Sequence, residues 1–229
     1  LYENIFEIIE NDYYYQRIKE EVNNKVSKYY THDDSGEKSD VLDERSKSID
    51  SNIRNFNNHV KHRLYKTVIS HYRNKTGIND ISLLDLGAGK GGDLNKYITN
   101  NIAKVHALDY DKVNISNLKA RYNVLDNKSQ NILKQLETYV GDFSKLMNNG
   151  DASHNKDVES KTKLINFYKT SGFSIFNIIS CQFAIHYSFE NEISMRGLIH
   201  NIYNNLPIGG LFFGTCFDGK RMFDLLKKN

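Results

Sequence analysis

The sequence has a single proline, no tryptophan and only two cysteines among its 229 residues. Two cysteines are too few for a disulfide framework, so we expect Cys181 and Cys216, each at the end of an apolar run, to be buried thiols in a reducing compartment. Neither has a histidine pair nearby, which argues against a zinc site. No apolar run approaches the ~20 residues of a membrane-spanning helix, and we expect no signal peptide.

Neither sign of charge predominates, because 31 Lys and Arg side chains are nearly balanced by 28 Asp and Glu, for a formal net charge of only +3. That value does not by itself indicate a nucleic-acid partner, so local basic clusters matter more. The hydrophobic content of 39% and aromatic content of 12% are enough to bury one core, which predicts a single domain over 1–229. The first residue is Leu1 rather than methionine, which is consistent with a piece of a longer protein.

A buried strand ends in a glycine-rich turn at 83–93, with the sequence LLDLGAGKGGD. Glycine tolerates positive φ and lets a ligand approach the backbone closely. The Gly87-x-Gly89 spacing resembles the dinucleotide fingerprint, but Asp85 and the residues after the turn fit that fingerprint poorly. Asp109 closes the next predicted strand about 20 positions later, where a carboxylate can accept hydrogen bonds from both hydroxyls of a ribose. Together these features predict a Rossmann-type nucleoside site; the alternative is tight turns beside a solvated Asp109.

Strands and helices alternate from residue 81 onward, which predicts a parallel sheet covered by helices on both faces. The predicted strands cover 81–86, 104–109, 137–141, 174–180 and 211–216, and the predicted helices cover 91–101, 112–121, 128–136 and 191–205, with a last helix after Gly219. Asp142 follows the third strand at the carboxyl edge, where open sheets bind ligands, and an adenine amino group is its expected partner. The polar segment 147–163 is predicted to be a solvated insertion without chemistry.

Helical spacing of apolar residues predicts an amphipathic helix in 1–30, followed by a mobile polar loop over 31–51. Three consecutive tyrosines at 13–15 either pack that helix onto the core or stack on a ligand. A further helix is predicted over 52–65. Its amides and cations either bind a carboxylate and a base edge or form an ordinary polar face.

His186 lies in the sequence SCQFAIHYSF at 180–189, directly after the fourth predicted strand. A lone histidine in an apolar stretch is more often a core residue than a functional one. Because His186 follows the tip of the strand and adjoins Tyr187, we expect it at the mouth of the pocket.

Three stretches, 52–63, 83–93 and 180–189, together resemble the mRNA cap guanine-N7 methyltransferases of eukaryotes and large DNA viruses. The match runs from about Val26 to Leu226, and GTCFDGK at 214–220 is most similar to the viral branch. The resemblance implies an α/β, Rossmann-like class I S-adenosylmethionine-dependent methyltransferase fold. Its N-terminal helical extension would cover 1–70 and its core 81–229. In this family further strands follow the fifth and add an acidic residue and an aromatic to the cap pocket, and this sequence ends before them.

The resemblance implies methyl transfer from S-adenosylmethionine to N7 of the cap guanosine, leaving S-adenosylhomocysteine, with no metal. Residues implied to bind the methionine part, ribose, adenine or pocket wall of the cofactor are Lys61, Asp85, Gly87, Gly89, Asp93, Asp109, Asp142, Phe143 and Gln182. Residues implied to face the cap are Asn57, Asn58, Arg63, Lys90, His186 and Tyr187, with Arg54 a further candidate for its phosphates. Guanine N7 carries a lone pair at neutral pH, so His186 and Tyr187 are expected to position the base rather than to act as acid or base.

The expected partner is the capped 5′ end of mRNA, with other capping-enzyme domains or a stimulatory subunit as further candidates and no membrane. The resemblance implies an intracellular location, the nucleus for a cellular protein and the host cytoplasm, in a virus factory or virion, for a viral one. Two alternatives stay open: a methyltransferase for another RNA or a small molecule, and an inactive methyltransferase-like subunit of a capping complex.

Overall fold

The structure, a computed structural model, describes residues 51–153, 157–173 and 175–227. A boundary between two compact units falls after Asn57, and every strand among the described residues belongs to the second unit, 58–229. The predicted helix over 1–30 and nearly all of the predicted loop over 31–51 lie outside the described residues. No described helix is both long enough and apolar enough to cross a bilayer.

Five parallel strands form one sheet in the order β3-β2-β1-β4-β5. They are β1 (Ile81–Leu86), β2 (Ile102–Asp109), β3 (Gln135–Val140), β4 (Ile178–Gln182) and β5 (Leu211–Thr215). The chain moves outward from β1 to β3 and then returns to the other side of β1 for β4 and β5. Such a reversal is the topological switch point of an open α/β sheet, beside which ligands bind at the carboxyl ends of the strands. The predicted Rossmann-like fold is therefore confirmed.

Helices connect the strands. The described helices are α1 (Ser51–Thr76), α2 (Leu94–Thr99), α3 (Lys112–Asn123), α4 (Asn127–Ile132), α5 (Val158–Ser171), α6 (Glu192–Asn205) and α7 (Gly219–Leu226), with a 3₁₀ turn over Ile185–Phe189. Polar side chains cap the starts of α3 to α6. The Asp111 side chain accepts a hydrogen bond from the Val113 amide at 2.8 Å at the start of α3. Asn191 likewise accepts one from the Ser194 amide at 3.0 Å at the start of α6. These caps satisfy amides that the helix itself cannot pair.

Two hydrophobic clusters cover the two faces of the sheet. On one face α1 contributes Tyr65, Ile69 and Tyr72, which pack with residues of α2 and α3. On the other face α5 and α6 supply the packing partners. Successive strand residues point to opposite faces, so Leu83 joins the first cluster and Leu84 the second. The carboxylate of Asp85 therefore lies on the α1 face of the sheet.

Several predicted element boundaries were wrong by a few residues. The helix predicted over 52–65 continues to Thr76, because buried Ile69 and Tyr72 extend its apolar face. The helical stretch predicted over 128–136 ends at Ile132, and β3 begins at Gln135, where it pairs with Lys104 of β2. Pairing of β4 begins at 178 rather than 174 and extends through 182.

The prediction that 147–163 is a solvated insertion was wrong. Met147 and Ala152 are each 1% exposed, and α5 begins inside the segment. Asn201 of α6 holds the start of the segment, since Oδ1 accepts from the Met147 amide at 3.0 Å and Nδ2 donates to the carbonyl of the preceding Lys145 at 2.7 Å. The polar composition of the segment wrongly suggested that it is solvated, because Asn201, the partner of Met147, lies 54 positions further along the chain.

The two cysteines differ in exposure. Cys181 is buried in β4, as predicted, and burial raises its pKa to about 12. Cys216 is exposed, so the prediction for it was wrong. It follows Thr215, the last residue of β5, and therefore lies past the end of the strand.

Candidate active site at the carboxyl edge of the sheet

The glycine turn after β1 is tied to the neighbouring strand and leaves space on one side. The Gly87 amide donates to the Leu108 carbonyl of β2 at 2.8 Å. Both Gly87 and Gly89 have positive φ, +80° and +56°. A Cβ added to Gly87 would collide with the Ala184 side chain, whereas one added to Gly89 would meet nothing within 4 Å. Gly87 therefore serves packing, and Gly89 borders open space that a ligand can enter.

Asp109, at the end of β2, organises the turn through its carboxylate. Oδ2 accepts from the Gly89 amide at 2.7 Å, and Oδ1 accepts from the Asp111 amide and from Asn114 Nδ2, both at 3.0 Å. A carboxylate offers about four lone-pair sites, so about one site on Oδ2 is left. To accept hydrogen bonds from both ribose hydroxyls, as predicted, Asp109 would have to give up one of these three hydrogen bonds. Sequence reasoning missed Asn114, although its position in the first turn of α3 was a usable signal.

A buried carboxylate with an unpartnered oxygen lies under the glycine turn. Asp85 is 1% exposed, and Tyr97 donates its hydroxyl proton to Oδ2, while Oδ1 has no hydrogen-bond partner. Burial, with the negative charge of Asp93 adding to it, raises the pKa of Asp85 to about 7. Such an acceptor is costly to leave unpaired, so Oδ1 can accept a hydrogen bond from a ligand or from the Ser180 hydroxyl, whose interaction opposes the rise in the pKa of Asp85.

Two lysines share one oxygen of Asp93, just after the turn. Lys61 of α1 and Lys96 of α2 approach Oδ1 at 2.6 and 2.9 Å. Lys96 is buried, and its ammonium also donates to the Gly92 carbonyl at 3.1 Å and to Asn58 Oδ1 at 3.2 Å. Lysine has three donors, and all of them are used here. Sequence reasoning missed Lys96, although its i,i+3 spacing from Asp93 was a signal.

A chain of hydrogen bonds joins α1 to β4 and β5 behind this cluster. The Tyr65 hydroxyl lies 2.8 Å from Ser180 Oγ, and Gln182 Nε2 donates to the same oxygen at 3.0 Å. Thr215 Oγ1 in turn donates to Gln182 Oε1 at 3.0 Å. The amide of Gln182 is therefore held in place as part of the wall. Tyr65 and Ser180 were not predicted as site residues, since they meet only across 115 positions of sequence.

Asp142 follows β3 and keeps one carboxylate oxygen largely available. Oδ1 accepts from the amide and hydroxyl of Ser144 at 2.9 and 2.5 Å, whereas the closest ion-pair partner of Oδ2 is exposed Lys145 at 3.8 Å. Phe143 is buried, and its ring lies 3.5 Å from the Cβ position of Gly87. The ring thus supports the turn from behind, while an adenine contact by Phe143 stays a prediction.

The end of β4 carries backbone strain and leads to the exposed aromatic pair. Phe183 has a positive φ of +56°, uncommon for a bulky residue, and its amide donates to the Thr215 carbonyl at 2.8 Å. The 3₁₀ turn that follows places the rings of His186 and Tyr187 at a centroid separation of 4.2 Å. Both side chains are exposed, as a pocket-mouth position requires. Partial desolvation lowers the pKa of His186, which favours the neutral ring.

Not every predicted cap residue is brought to this edge. Arg63 is exposed and lies two residues from Lys61, about 200° around α1, so it points away from the cluster. Lys90 is half-buried within the turn itself. Arg54 and Asn57 precede the boundary between the two units, and their assignments stay predictions.

Comparison with known proteins decides the family. The family model for the mRNA (guanine-N(7))-methyltransferase domain matches residues 13–229. The chain belongs to this family. An mRNA cap guanine-N(7) methyltransferase of Caenorhabditis elegans is 34% identical over 170 residues, which cover 74% of this chain and 40% of that protein. One of Saccharomyces cerevisiae is 32% identical over 168 residues, covering 73% and 33%.

The chain thus spans about 40% of the length of the nematode relative. A solved S-adenosylmethionine-dependent methyltransferase from Clostridium acetobutylicum is 16% identical with a TM-score of 0.45, covering 67% of this chain and 49% of that one; that likeness is too weak to bear on function. Membership of the mRNA (guanine-N(7))-methyltransferase family confirms the resemblance drawn from the sequence, and the viral leaning stays a prediction. Among the described residues, no three His, Cys, Asp or Glu side chains are grouped so as to hold a metal ion.

Proposed function

We propose that this chain transfers a methyl group from S-adenosylmethionine to N7 of the 5′ cap guanosine of mRNA. Family membership and relatives named for this reaction at about one-third identity support the proposal. The observation that carries it is the unpartnered Asp85 Oδ1 beneath a glycine turn that is open at Gly89 and flanked by Lys61.

The amino-acid end of S-adenosylmethionine carries an ammonium and a carboxylate, and the buried cluster offers a partner for each. Asp85 Oδ1 is an acceptor without a donor, which suits the ammonium. Lys61 and Lys96 both contact Asp93 Oδ1, and Lys61 also interacts electrostatically with Asp85. Lys61 can bind the carboxylate of the ligand, because Lys96 continues to neutralise Asp93 when Lys61 turns toward the ligand.

The nucleoside end also fits the residues present. Asp109 Oδ2 has about one lone pair for a ribose hydroxyl. Asp142 Oδ2 accepts no hydrogen bond from Ser144 and can accept one from the adenine amino group. Gly89 leaves the space through which the nucleoside would reach both carboxylates. The four carboxyl ends of β1 to β4 therefore supply one contiguous cradle.

Positioning is the contribution of this chain to catalysis. Bound S-adenosylmethionine supplies an electrophilic methyl group on a sulfonium. Guanine N7 presents a lone pair at neutral pH, so no side chain has to remove a proton. Holding N7 in near-attack geometry can supply about 7–11 kcal/mol of the barrier. His186, whose pKa is lowered by partial desolvation, and Tyr187 offer ring faces and hydrogen-bonding atoms to orient the base without acid-base chemistry.

The test is transfer of a labelled methyl group to RNA ending in unmethylated GpppG, beside the same RNA with a triphosphate end. We expect transfer to the capped RNA alone, and loss of transfer in Asp109→Asn. Asp126→Asn is the matched control, because the Asp126 side chain likewise accepts from a backbone amide, that of Ser129 at 2.8 Å, but Asp126 caps α4, which has no buried residues. Transfer to a different acceptor would replace the substrate, and cofactor binding without any transfer would favour an inactive subunit.

Partners and location follow from the same proposal. Capped mRNA would bring the chain together with other capping-enzyme domains or a stimulatory subunit, in the nucleus of a cell or in the cytoplasm of an infected host. Copurification from the native source, with mass spectrometry of the bound proteins, tests the first point, and cell fractionation tests the second.

A further inference from the structure

The solvent face of α1 is basic over its whole length in the second unit. From Asn58 to Thr76 the helix contains no aspartate or glutamate. Arg63, Lys66 and Arg73 follow one another at spacings of three and seven residues, which places them within about 80° of the helix circumference. Among the described residues neither Arg63 nor Lys66 forms an ion pair with a carboxylate. We call these three residues the basic stripe.

The stripe ends at a cavity of about 400 Å³ at the amino ends of the strands. Arg73 Nη2 donates to the Asn101 carbonyl at 2.8 Å and to the Asn79 carbonyl at 3.3 Å, which fixes the guanidinium. Lys134 adds a second cation to the lining, and Asp80 is the one carboxylate there. A guanidinium presents five N–H donors in a planar fork that matches phosphate oxygens, and most of them stay available here.

The helix connects this cavity to the glycine turn. Lys61 contacts Asp93 at the carboxyl edge of the sheet, and Arg73 contacts Asn101 at the amino edge. Twelve residues separate the two, which corresponds to about 18 Å of helix. A polyanion that leaves the carboxyl edge can therefore follow the outer side of α1 to the cavity without meeting a carboxylate on the helix.

We propose that the basic stripe and the cavity at Arg73 bind the phosphodiester backbone of the RNA downstream of the cap. The inference rests on the proposed function, since it supplies the path for the body of the same substrate. Single strands are held by charge contacts that track the backbone. An anionic membrane is the weaker partner, because a membrane-surface helix carries large apolar residues beside its cations. From Asn58 onward the outer side of α1 carries Thr67, Ser70 and Asn74 instead.

The experiment compares a capped dinucleotide, GpppG, with capped RNA long enough to run along α1. In the double variant Lys66→Glu/Lys134→Glu we expect the KM for long RNA to rise severalfold, with kcat and the KM for the dinucleotide unchanged. Fluorescence anisotropy with uncapped single-stranded RNA should show a salt slope that is shallower by about 0.7 for each phosphate that the variant no longer neutralises. Lys169→Glu is the control, because α5 packs against the opposite face of the sheet. It should change neither the KM for long RNA nor the salt slope.

Distinct outcomes separate the two proposals. An equal rise in KM for the dinucleotide, an equal effect of Lys169→Glu, or an unchanged salt slope would each overturn the RNA path. If the double variant lost binding to phosphatidylserine vesicles but still bound RNA like the wild type, the RNA path would be overturned in favour of a membrane. If the wild-type chain methylates neither substrate, the proposed function fails, and the anisotropy result alone then decides the path.

Discussion

A substitution at Gly89 can block the approach of a ligand while changing the stability of the turn only a little. Its φ is +56° and a Cβ there meets nothing within 4 Å, so Gly89→Ala introduces a methyl group into open space. The left-handed conformation costs an alanine roughly 1–2 kcal/mol. Alanine also lowers the conformational entropy of the unfolded chain relative to glycine, which raises the free energy of unfolding by about 0.4–1 kcal/mol. We therefore expect Gly89→Ala to lower the free energy of unfolding by only about 1 kcal/mol.

Gly77 provides a matched control for that backbone strain. Its φ is +74°, nothing lies within 4 Å of its added Cβ, and it follows the last residue of α1 at the opposite edge of the sheet. Gly77→Ala should therefore lose a similar free energy of unfolding. Only Gly89→Ala should weaken S-adenosylmethionine binding, because the added methyl group would occupy the space through which the ligand approaches. We expect a loss of about tenfold or more, which corresponds to about 1.4 kcal/mol.

Urea unfolding and isothermal titration calorimetry on the two variants decide the matter. Gly87→Ala completes the series, since its Cβ would meet Ala184 and the variant should be destabilised more than either. If Gly89→Ala binds S-adenosylmethionine as tightly as Gly77→Ala does, the open space beside Gly89 is not the approach of the cofactor, and the cradle described above is misplaced.

Three further predictions concern side chains at the same edge. Asp109→Asn should weaken S-adenosylmethionine binding about 10- to 100-fold in calorimetry, because a charged hydrogen bond contributes about 1.5–3 kcal/mol; Asp126→Asn should not. His186→Ala should lower turnover of capped RNA with cofactor affinity nearly unchanged, and equal loss of both would make His186 structural. The pKa of Asp85 is raised to about 7 in the folded protein, so its proton stabilises the fold below the ordinary carboxyl pKa and that stabilisation is lost as pH rises toward 7. Asp85→Asn should remove this decline in thermal denaturation between pH 4 and pH 7, and an unchanged decline would contradict the assignment.

The fold and the strand-end carboxylates could be predicted because both follow from local patterns. Alternation of apolar strands with helical spacing requires a parallel sheet, and a parallel sheet brings the carboxyl ends of all its strands to one edge. Asp85, Asp109 and Gln182 thus lie together at that edge although up to 97 positions separate them in the printed sequence. No knowledge of side-chain packing was needed for that step.

The remaining parts of the site depend on side chains that meet only after folding. Lys96 reaches Asn58 across 38 positions, and Tyr65 reaches Ser180 across 115. Each residue taken alone fits an ordinary helix or strand, so the sequence carries no local sign of the contact. The same reason contributes to the error at 147–163, because the Met147 amide at its start donates to Asn201 of a distant helix.

Two costs to stability fall on the carboxyl edge of the sheet. Asp85 Oδ1 is buried without a donor, which costs about 1–3 kcal/mol, and the positive φ of Phe183 costs a similar amount. Both lie beside the glycine turn, on β1 and directly after β4, the strands that flank the reversal in strand order. Natural sequences satisfy local rules almost everywhere except at functional sites. An edge that keeps an unpaired acceptor and a strained bulky residue on adjacent strands therefore agrees with the ligand site proposed above, because strain of this kind concentrates at functional sites.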